Sequence, residues 1–89
     1  MNSQSFEEVA YQAMLTGDGK ARELFHATYF DELSGFAGSI VTNEDVGNRI
    51  ADKVLGTFYK KMEHFQTIQK ARNYLFLATR TAAMEALAK

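Results

Sequence analysis

The chain has 89 residues, a net charge of −1 and no cysteine, which is the size and composition of one small domain. Without cysteine, disulfides and thiolate metal sites are excluded, so a hydrophobic core built from the 46% apolar residues has to stabilise the fold. No stretch approaches the ~20 apolar residues of a membrane span, and the opening MNSQSFEEVAYQ lacks the basic and apolar regions of a signal peptide. We therefore predict a single cytoplasmic domain over residues 1–89.

The charges are distributed unevenly along the chain. Residues 1–45 carry eight acids and two bases, whereas residues 46–89 carry three acids and eight bases. Such an asymmetry indicates that the basic half contacts an anion such as nucleic acid. Two halves that pack together and neutralise each other would produce the same pattern, so charge alone leaves both alternatives open.

Capping residues and glycines divide the first half of this proline-free chain into two predicted helices. Ser5 and Glu8 form a capping box, in which the Glu8 carboxylate would reach back, and Gly17 follows the end of a first helix over about residues 5–16. The apolar positions of this helix are Phe6, Val9, Ala10, Ala13 and Met14. A second helix is expected from about Lys20 to Val41. Its apolar positions are Leu24, Phe25, Tyr29, Leu33, Phe36, Ala37 and Ile40. Gly35 and Gly38 near its end would suit a close approach of another helix backbone.

Two further helices are predicted in the second half. Thr42 and Asp45 form a second capping box, which begins a third helix running from about Glu44 to His64. At about 100° per residue, its solvent-facing arc consists of Arg49, Asp52, Lys53, Gly56, Lys60 and Glu63. The fourth helix begins near Thr67 or Ile68. Its predicted buried stripe is Ile68, Ala71, Leu75, Ala78 and Ala82. The fold class is therefore all-α, a compact bundle of three to four helices.

No pattern in the sequence is typical of catalysis or of cofactor binding. His26 and His64 have no acid at ligand spacing, and a metal site needs three or four ligands. Gly17-Asp18-Gly19-Lys20 lacks the length of a phosphate-binding GxxxxGK[ST] loop and follows a helix rather than a strand. We expect no catalytic residue, no metal and no cofactor, and hence a protein that is not an enzyme.

One flank of the fourth predicted helix combines residue types that bind nucleic acids. Arg72, Phe76, Thr79 and Arg80 lie close together on the helical wheel, with Asn73 at the edge and Lys70 to the side of the same flank. Guanidinium groups pair with phosphates, aromatic rings stack on unpaired bases, and amides hydrogen-bond base edges. Spacing alone does not separate this interpretation from an ordinary solvated helix face, so both stay open here.

Several segments resemble the N-terminal domain, region 2, of extracytoplasmic-function sigma factors, which are small bacterial RNA polymerase subunits. The matching segments are GDGKARELF, TYFDELSGFAGSIV, TNEDVGNRIADKVLGTFY and FQTIQKARNYLFLATR, which together extend the resemblance over about residues 17–89. The resemblance implies a three- or four-helix domain that binds the clamp of core RNA polymerase and melts the −10 promoter element.

In the family the clamp contact is made by the exposed face of the third helix, with the pattern Asp-x-x-Gln-Glu-x-Phe. The polymerase-binding residues that the resemblance implies here are Arg49, Asp52, Lys53, Leu55 and Gly56. Because these residues alter the charges of the family pattern, an alternative is a sigma-fold helical protein-interaction module that has lost promoter recognition. A helical bundle that only forms oligomers is a third alternative.

The resemblance also implies that flipped bases of the single-stranded −10 element bind to the link before the fourth helix and to that helix itself. The implied DNA-binding residues are Gln66, Thr67, Lys70, Arg72, Asn73, Tyr74, Phe76, Arg80 and Thr81. Few of these residues have basic side chains, so the affinity of the domain for DNA phosphates should be modest and strongly salt-dependent.

The resemblance has two consequences beyond these contacts. An anti-sigma protein can be a further partner. Sigma factors of this group also carry a second helical domain that reads the −35 element, and the sequence contains nothing similar to it. We therefore expect the chain to be an excised N-terminal domain of a longer protein; the alternative is a reduced relative that has lost part of the function.

Overall fold

The computed structural model describes residues 5–89, which form an all-α bundle and confirm the predicted fold class. The helices are α1 (Phe6–Leu15), α2 (Gly19–Val41), α3 (Glu44–Lys60) and α4 (Ile68–Leu87), with a 3-10 helix at Met62–His64 between α3 and α4. Residues 1–4 lie outside the described residues. They begin the predicted domain and the opening segment that lacks the features of a signal peptide. None of the described helices has the length and apolar character needed to cross a membrane.

The helices begin at residues whose side chains satisfy first-turn amides, as capping preferences require. The Ser5 hydroxyl accepts a hydrogen bond from the Glu8 amide at 3.1 Å, which confirms the start predicted for α1. Asp18 caps α2 with its carboxylate. The Thr67 hydroxyl accepts from the Lys70 amide at 3.2 Å and begins α4. These local signals therefore account for three of the four starts.

The predicted start of α3 at Glu44 is confirmed, but its predicted cap is wrong. Asn43, not Thr42, is the N-cap, and its side-chain oxygen accepts from the Val46 amide at 3.1 Å. Thr42 instead ends α2 in the left-handed conformation, with φ 53°. Asn and Thr are both favourable N-cap residues. Since Thr42 already ends α2, Asn43 caps α3. The predicted end at His64 is also wrong, since α3 ends at Lys60.

The core lies between the apolar faces of all four helices, with the Phe58 ring near its centre. Ring centroids of Phe25 and Phe65 lie 5.6 Å from that of Phe58, and the centroid of Tyr74 lies 6.3 Å away. The buried apolar residues are Tyr11, Met14, Phe25, Tyr29, Leu33, Ala37, Ile50, Ala51, Val54, Leu55, Phe58, Ile68, Ala71, Leu75 and Ala83. Aromatic packing thus ties the start of α4 to α2 and α3.

Three of the apolar side chains of α1 and α2 are exposed. Phe6 is 86% exposed, Val9 52% and Leu24 65%. In α1 the side chains that face the core are Tyr11 and Met14. The three side chains line the open apolar groove between α1 and α2.

The inner face of α4 also differs from the predicted stripe after Leu75. Thr79 and Ala83 are fully buried, whereas Ala78 and Ala82 are only partly buried. Both stripes keep helical spacing, but the observed one passes through a polar residue, which a search for apolar periodicity does not select. As a result, the flank of α4 that carries Phe76 lies beside α2.

We expect Thr79→Val to stabilise the domain. The Thr79 hydroxyl oxygen is buried and has no hydrogen-bond partner among residues 5–89. Valine keeps the branched shape and removes the unsatisfied group, so the free energy of unfolding should rise by about 1 kcal/mol. Urea denaturation followed by circular dichroism measures this change, and a lower midpoint than that of the wild type would contradict it.

Candidate functional site

The outer face of α3, defined here as Arg49, Asp52, Lys53, Gly56 and Lys60, is exposed over its whole length. Its exposure follows from the strong segregation of apolar and polar residues along this helix. Within residues 5–89, Arg49, Asp52 and Lys53 make no hydrogen bond or ion pair. Both signs of charge are therefore available to a partner at adjacent positions.

Leu55, the remaining predicted polymerase-binding residue, lies in the core and is 0% exposed. Its prediction as a contact residue is wrong because Leu55 belongs to the same apolar arc as Ala51 and Phe58, which are also fully buried. Substituting it would test folding rather than recognition.

The segment between α3 and α4, residues 61–67, is called the connection below. Gln66 is exposed, and its side chain makes no hydrogen bond to the part of the chain that the structure describes. The Thr67 hydroxyl oxygen already accepts one hydrogen bond as the cap of α4, and Thr67 is partly buried. Of the two predicted DNA-binding residues here, Gln66 is therefore the more available.

Tyr74 is half-buried against the connection rather than free to stack on a base. Its ring centroid lies 4.8 Å from that of Phe65 in a stacked arrangement. The Lys61 ammonium group lies 5.0 Å from the centroid of the Tyr74 ring. These contacts restrict the access of a nucleotide to the Tyr74 ring.

Arg72 is packed onto α2. Its Nη1 donates a hydrogen bond to the Tyr29 hydroxyl at 2.9 Å and lies 3.9 Å from a Glu32 carboxylate oxygen. The hydrogen bond to Tyr29 is the main reason why the pKa of Arg72 is raised, and burial raises the pKa of Tyr29. The Arg72 side chain remains 36% exposed, but its donors already face the acidic half of the chain.

Phe76 also belongs to the α2–α4 contact. Its ring centroid lies 5.6 Å from that of Phe36, and the Arg72 guanidinium lies 5.4 Å from the Phe76 ring. The predicted solvent-facing flank, with an exposed ring between Arg72 and Arg80, is therefore wrong in its first two members. Arg72 and Phe76 pack against α2 because α4 is rotated so that Thr79 is buried. Arg80, the third member of the flank, is exposed.

The other predicted DNA-binding residues of α4 face solvent. These residues are Lys70, Asn73, Arg80 and Thr81. Among them Asn73 accepts a hydrogen bond from Gln69 at 3.0 Å, an interaction that is easily exchanged at an exposed site. The structure thus separates an exposed polar set from the two residues that pack against α2.

Three residues of α1 that the sequence prediction did not include lie against the connection. The capping box predicted that the Glu8 carboxylate reaches back to the start of its own helix. It instead accepts a hydrogen bond from the Ile68 amide at 3.1 Å. Gln12 donates to the Gln66 carbonyl at 2.7 Å, and the Tyr11 hydroxyl donates to the Phe65 carbonyl. The spacing of Glu8, Tyr11 and Gln12 places them on one side of α1, but no local signal names their distant partners.

A second polar cluster joins α2 to α3. The His26 Nδ1 lies 2.8 Å from the Tyr59 hydroxyl, and the Arg22 guanidinium lies 4.1 Å from the Tyr59 ring centroid. Burial raises the pKa of Tyr59, and Arg22 opposes this shift. Within residues 5–89, no group of three or more histidine or acidic side chains is placed to hold a metal ion.

Comparison of the chain with protein-family models, with curated proteins and with solved structures gave no match. Its function has to be inferred from its own residues.

Proposed function

We propose that the chain is a cytoplasmic, non-catalytic sigma-like domain that binds core RNA polymerase and the single-stranded −10 promoter element. The observation that carries the proposal is the outer face of α3, whose charges are exposed and unpaired within residues 5–89. It corresponds to the face that the resemblance assigns to the polymerase clamp. Adjacent charges of both signs suit a partner with a complementary pattern, since such patterns set register and reject wrong partners.

The proposed DNA contact uses the exposed polar set of α4 together with Gln66 of the connection. Gln66 and Asn73 offer amides for base edges, whereas Lys70 and Arg80 offer cations for phosphates. The packing of Phe76 against Phe36 leaves this surface without a freely exposed aromatic ring on α4. Binding should therefore depend on phosphates more than on stacking, and should weaken steeply with salt.

Charge reversal on α3 tests the polymerase contact. We expect the double substitution Asp52→Lys and Lys53→Glu to abolish retention of the domain on immobilised core polymerase, because it reverses two exposed charges of the docking face. Asp31→Lys, at an exposed position of α2, is the control and should be retained like the wild type. Equal retention of the double variant and the wild type would contradict the assignment of this face.

A salt titration tests the DNA contact. We expect Lys70→Ala to weaken binding to a single-stranded −10 oligonucleotide and to reduce the slope of log K against log salt by about 0.7, the value for one lost phosphate contact. Lys89→Ala removes the same charge beyond the other end of α4, which lies about 25 Å from Lys70 by helical rise, and should leave the slope unchanged. The contact at Lys70 is disproved if both variants keep the wild-type slope.

The alternative, a sigma-fold module that binds another protein and no longer recognises promoters, is favoured by one observation. Arg72 and Phe76, two of the residues implied to bind DNA, contact α2 instead. This alternative predicts that the wild-type domain does not bind the −10 oligonucleotide even at low salt. It also predicts that the α3 double variant loses a protein partner other than polymerase, such as an anti-sigma protein.

A further inference from the structure

Three hydrogen bonds join α1 to neighbouring backbone groups at the end of the connection and the start of α4. Each joins a side chain of α1 to a main-chain group: Tyr11 to the Phe65 carbonyl, Gln12 to the Gln66 carbonyl and Glu8 to the Ile68 amide. Together with the Thr67 cap, they restrain the backbone of the last three residues of the connection and the first residue of α4.

These bonds add to the apolar packing that attaches α1 to this end of the molecule. In α1 only Tyr11 and Met14 are buried, whereas Phe6 and Val9 are mostly exposed. The centroid of the Tyr11 ring lies 5.8 Å from that of the Phe25 ring, and this packing fixes the direction of the Tyr11 hydroxyl. Burial raises the pKa of Tyr11 to about 12, so the hydroxyl keeps the proton that it donates at neutral pH.

We propose that α1 is a positioning element for single-stranded nucleic acid, in which Glu8, Tyr11 and Gln12 fix the connection before the ligand arrives. The inference rests on the proposed DNA contact of Gln66 and Lys70. A mobile connection would lose conformational entropy when it binds a strand, whereas a connection already held by α1 does not. The bonded carbonyls of Phe65 and Gln66 also turn toward α1, which leaves the exposed Gln66 side chain for the ligand.

The Glu8 carboxylate further restricts where a phosphate can bind. It occupies the first amide of α4, the position at which a helix start would otherwise attract an anion. A DNA phosphate is therefore repelled from this end of α4 and directed to the side that carries Lys70. In this arrangement Glu8 excludes one path of the strand, while Tyr11 and Gln12 hold the connection in place.

The test uses substitutions that remove a hydrogen bond and preserve shape. We expect Tyr11→Phe and Gln12→Met each to raise the Kd for a single-stranded −10 oligonucleotide about threefold, and the double variant about tenfold, as for the loss of one and two net hydrogen bonds to the connection. Gln12→Met also removes the hydrogen bond that Gln12 donates to the Glu8 carboxylate within α1. Hydrogen exchange of the amides of residues 65–68 should accelerate in both variants. Retention on core polymerase, which depends on α3, should not change.

Tyr59→Phe is the matched control. It removes a tyrosine hydroxyl whose partner is His26 on α2, so it costs a comparable bond without touching the connection. We expect it to leave the oligonucleotide Kd at the wild-type value. If it weakens binding as much as Tyr11→Phe does, the effect is one of general stability and the positioning role is overturned.

The remaining outcomes separate the two proposals. If the wild type binds the oligonucleotide and Tyr11→Phe/Gln12→Met binds equally well, the positioning role fails and the proposed function stands. If the wild type does not bind it at all, the proposed function fails, and the role of α1 toward DNA fails with it. Unchanged amide exchange in the double variant would also overturn the role of α1.

Discussion

Phe58→Ala is expected to lower the free energy of unfolding by about 3–5 kcal/mol, the usual cost of removing a buried phenylalanine ring. Phe58 is 0% exposed and its ring contacts those of Phe25, Phe65 and Tyr74. A domain of this size is stable by roughly 4–13 kcal/mol, so the loss is a large share of the total and unfolds the domain if its stability lies near the lower value. Urea denaturation followed by far-ultraviolet circular dichroism measures the change.

The matched control for this substitution is Phe6→Ala. Phe6 is 86% exposed, so the same truncation removes little buried surface and should change the free energy of unfolding by less than about 0.5 kcal/mol. Because Phe65 and Tyr74 pack on Phe58, we also expect the connection to lose its order in any Phe58→Ala protein that folds. Equal midpoints for the two variants would contradict the central position of Phe58.

Gly47→Ala is expected to destabilise the domain by about 2–3 kcal/mol, because the helices α2 and α3 touch through their backbones at this position. A Cβ atom on Gly47 would lie 2.7 Å from the Ser34 carbonyl oxygen and 2.8 Å from the Gly38 Cα. These atoms belong to the main chain of α2 and cannot rotate away as a side chain would. Alanine is the better helix former by about 1 kcal/mol, which reduces the net loss but does not reverse it.

Gly35→Ala is the control for this prediction. Gly35 is an exposed residue of α2, and a Cβ atom there would meet nothing within 4 Å. The substitution should therefore stabilise the domain by about 0.5–1 kcal/mol through helix propensity alone. Thermal denaturation of both variants gives the comparison, and a Gly47→Ala protein as stable as Gly35→Ala would show that the two helices can separate without cost.

The close approach at Gly47 could be predicted only in part. From the sequence we expected that another helix backbone could approach Gly38 closely, and Gly38 does lie against Gly47. Gly35, which the same prediction included, faces open space. A glycine on the apolar arc of α3, one residue after Val46, was an available signal, but its partner on α2 has no local mark in the sequence.

The outer face of α3 could be predicted well, whereas the exposed flank of α4 could not. In α3 large apolar and charged residues are segregated, so only one rotation buries Val54 and Phe58 and exposes Asp52. In α4 the apolar residues include many alanines, which differ little in burial energy between neighbouring rotations. Its rotation is decided by Phe36 and Tyr29 of α2, against which Phe76 and Arg72 pack.

The sequence by itself determined the helical class, the start of each helix to within one residue and the charged outer face of α3. Capping, helix propensity and strong amphipathicity act within one or two turns, so they can be read from neighbouring residues. Only the tertiary structure decided that Thr79 is buried, that Arg72 binds Tyr29, and that Glu8 reaches Ile68. These outcomes depend on how whole helices are rotated and placed, since the free energy of each contact includes a partner some 40 to 60 residues away.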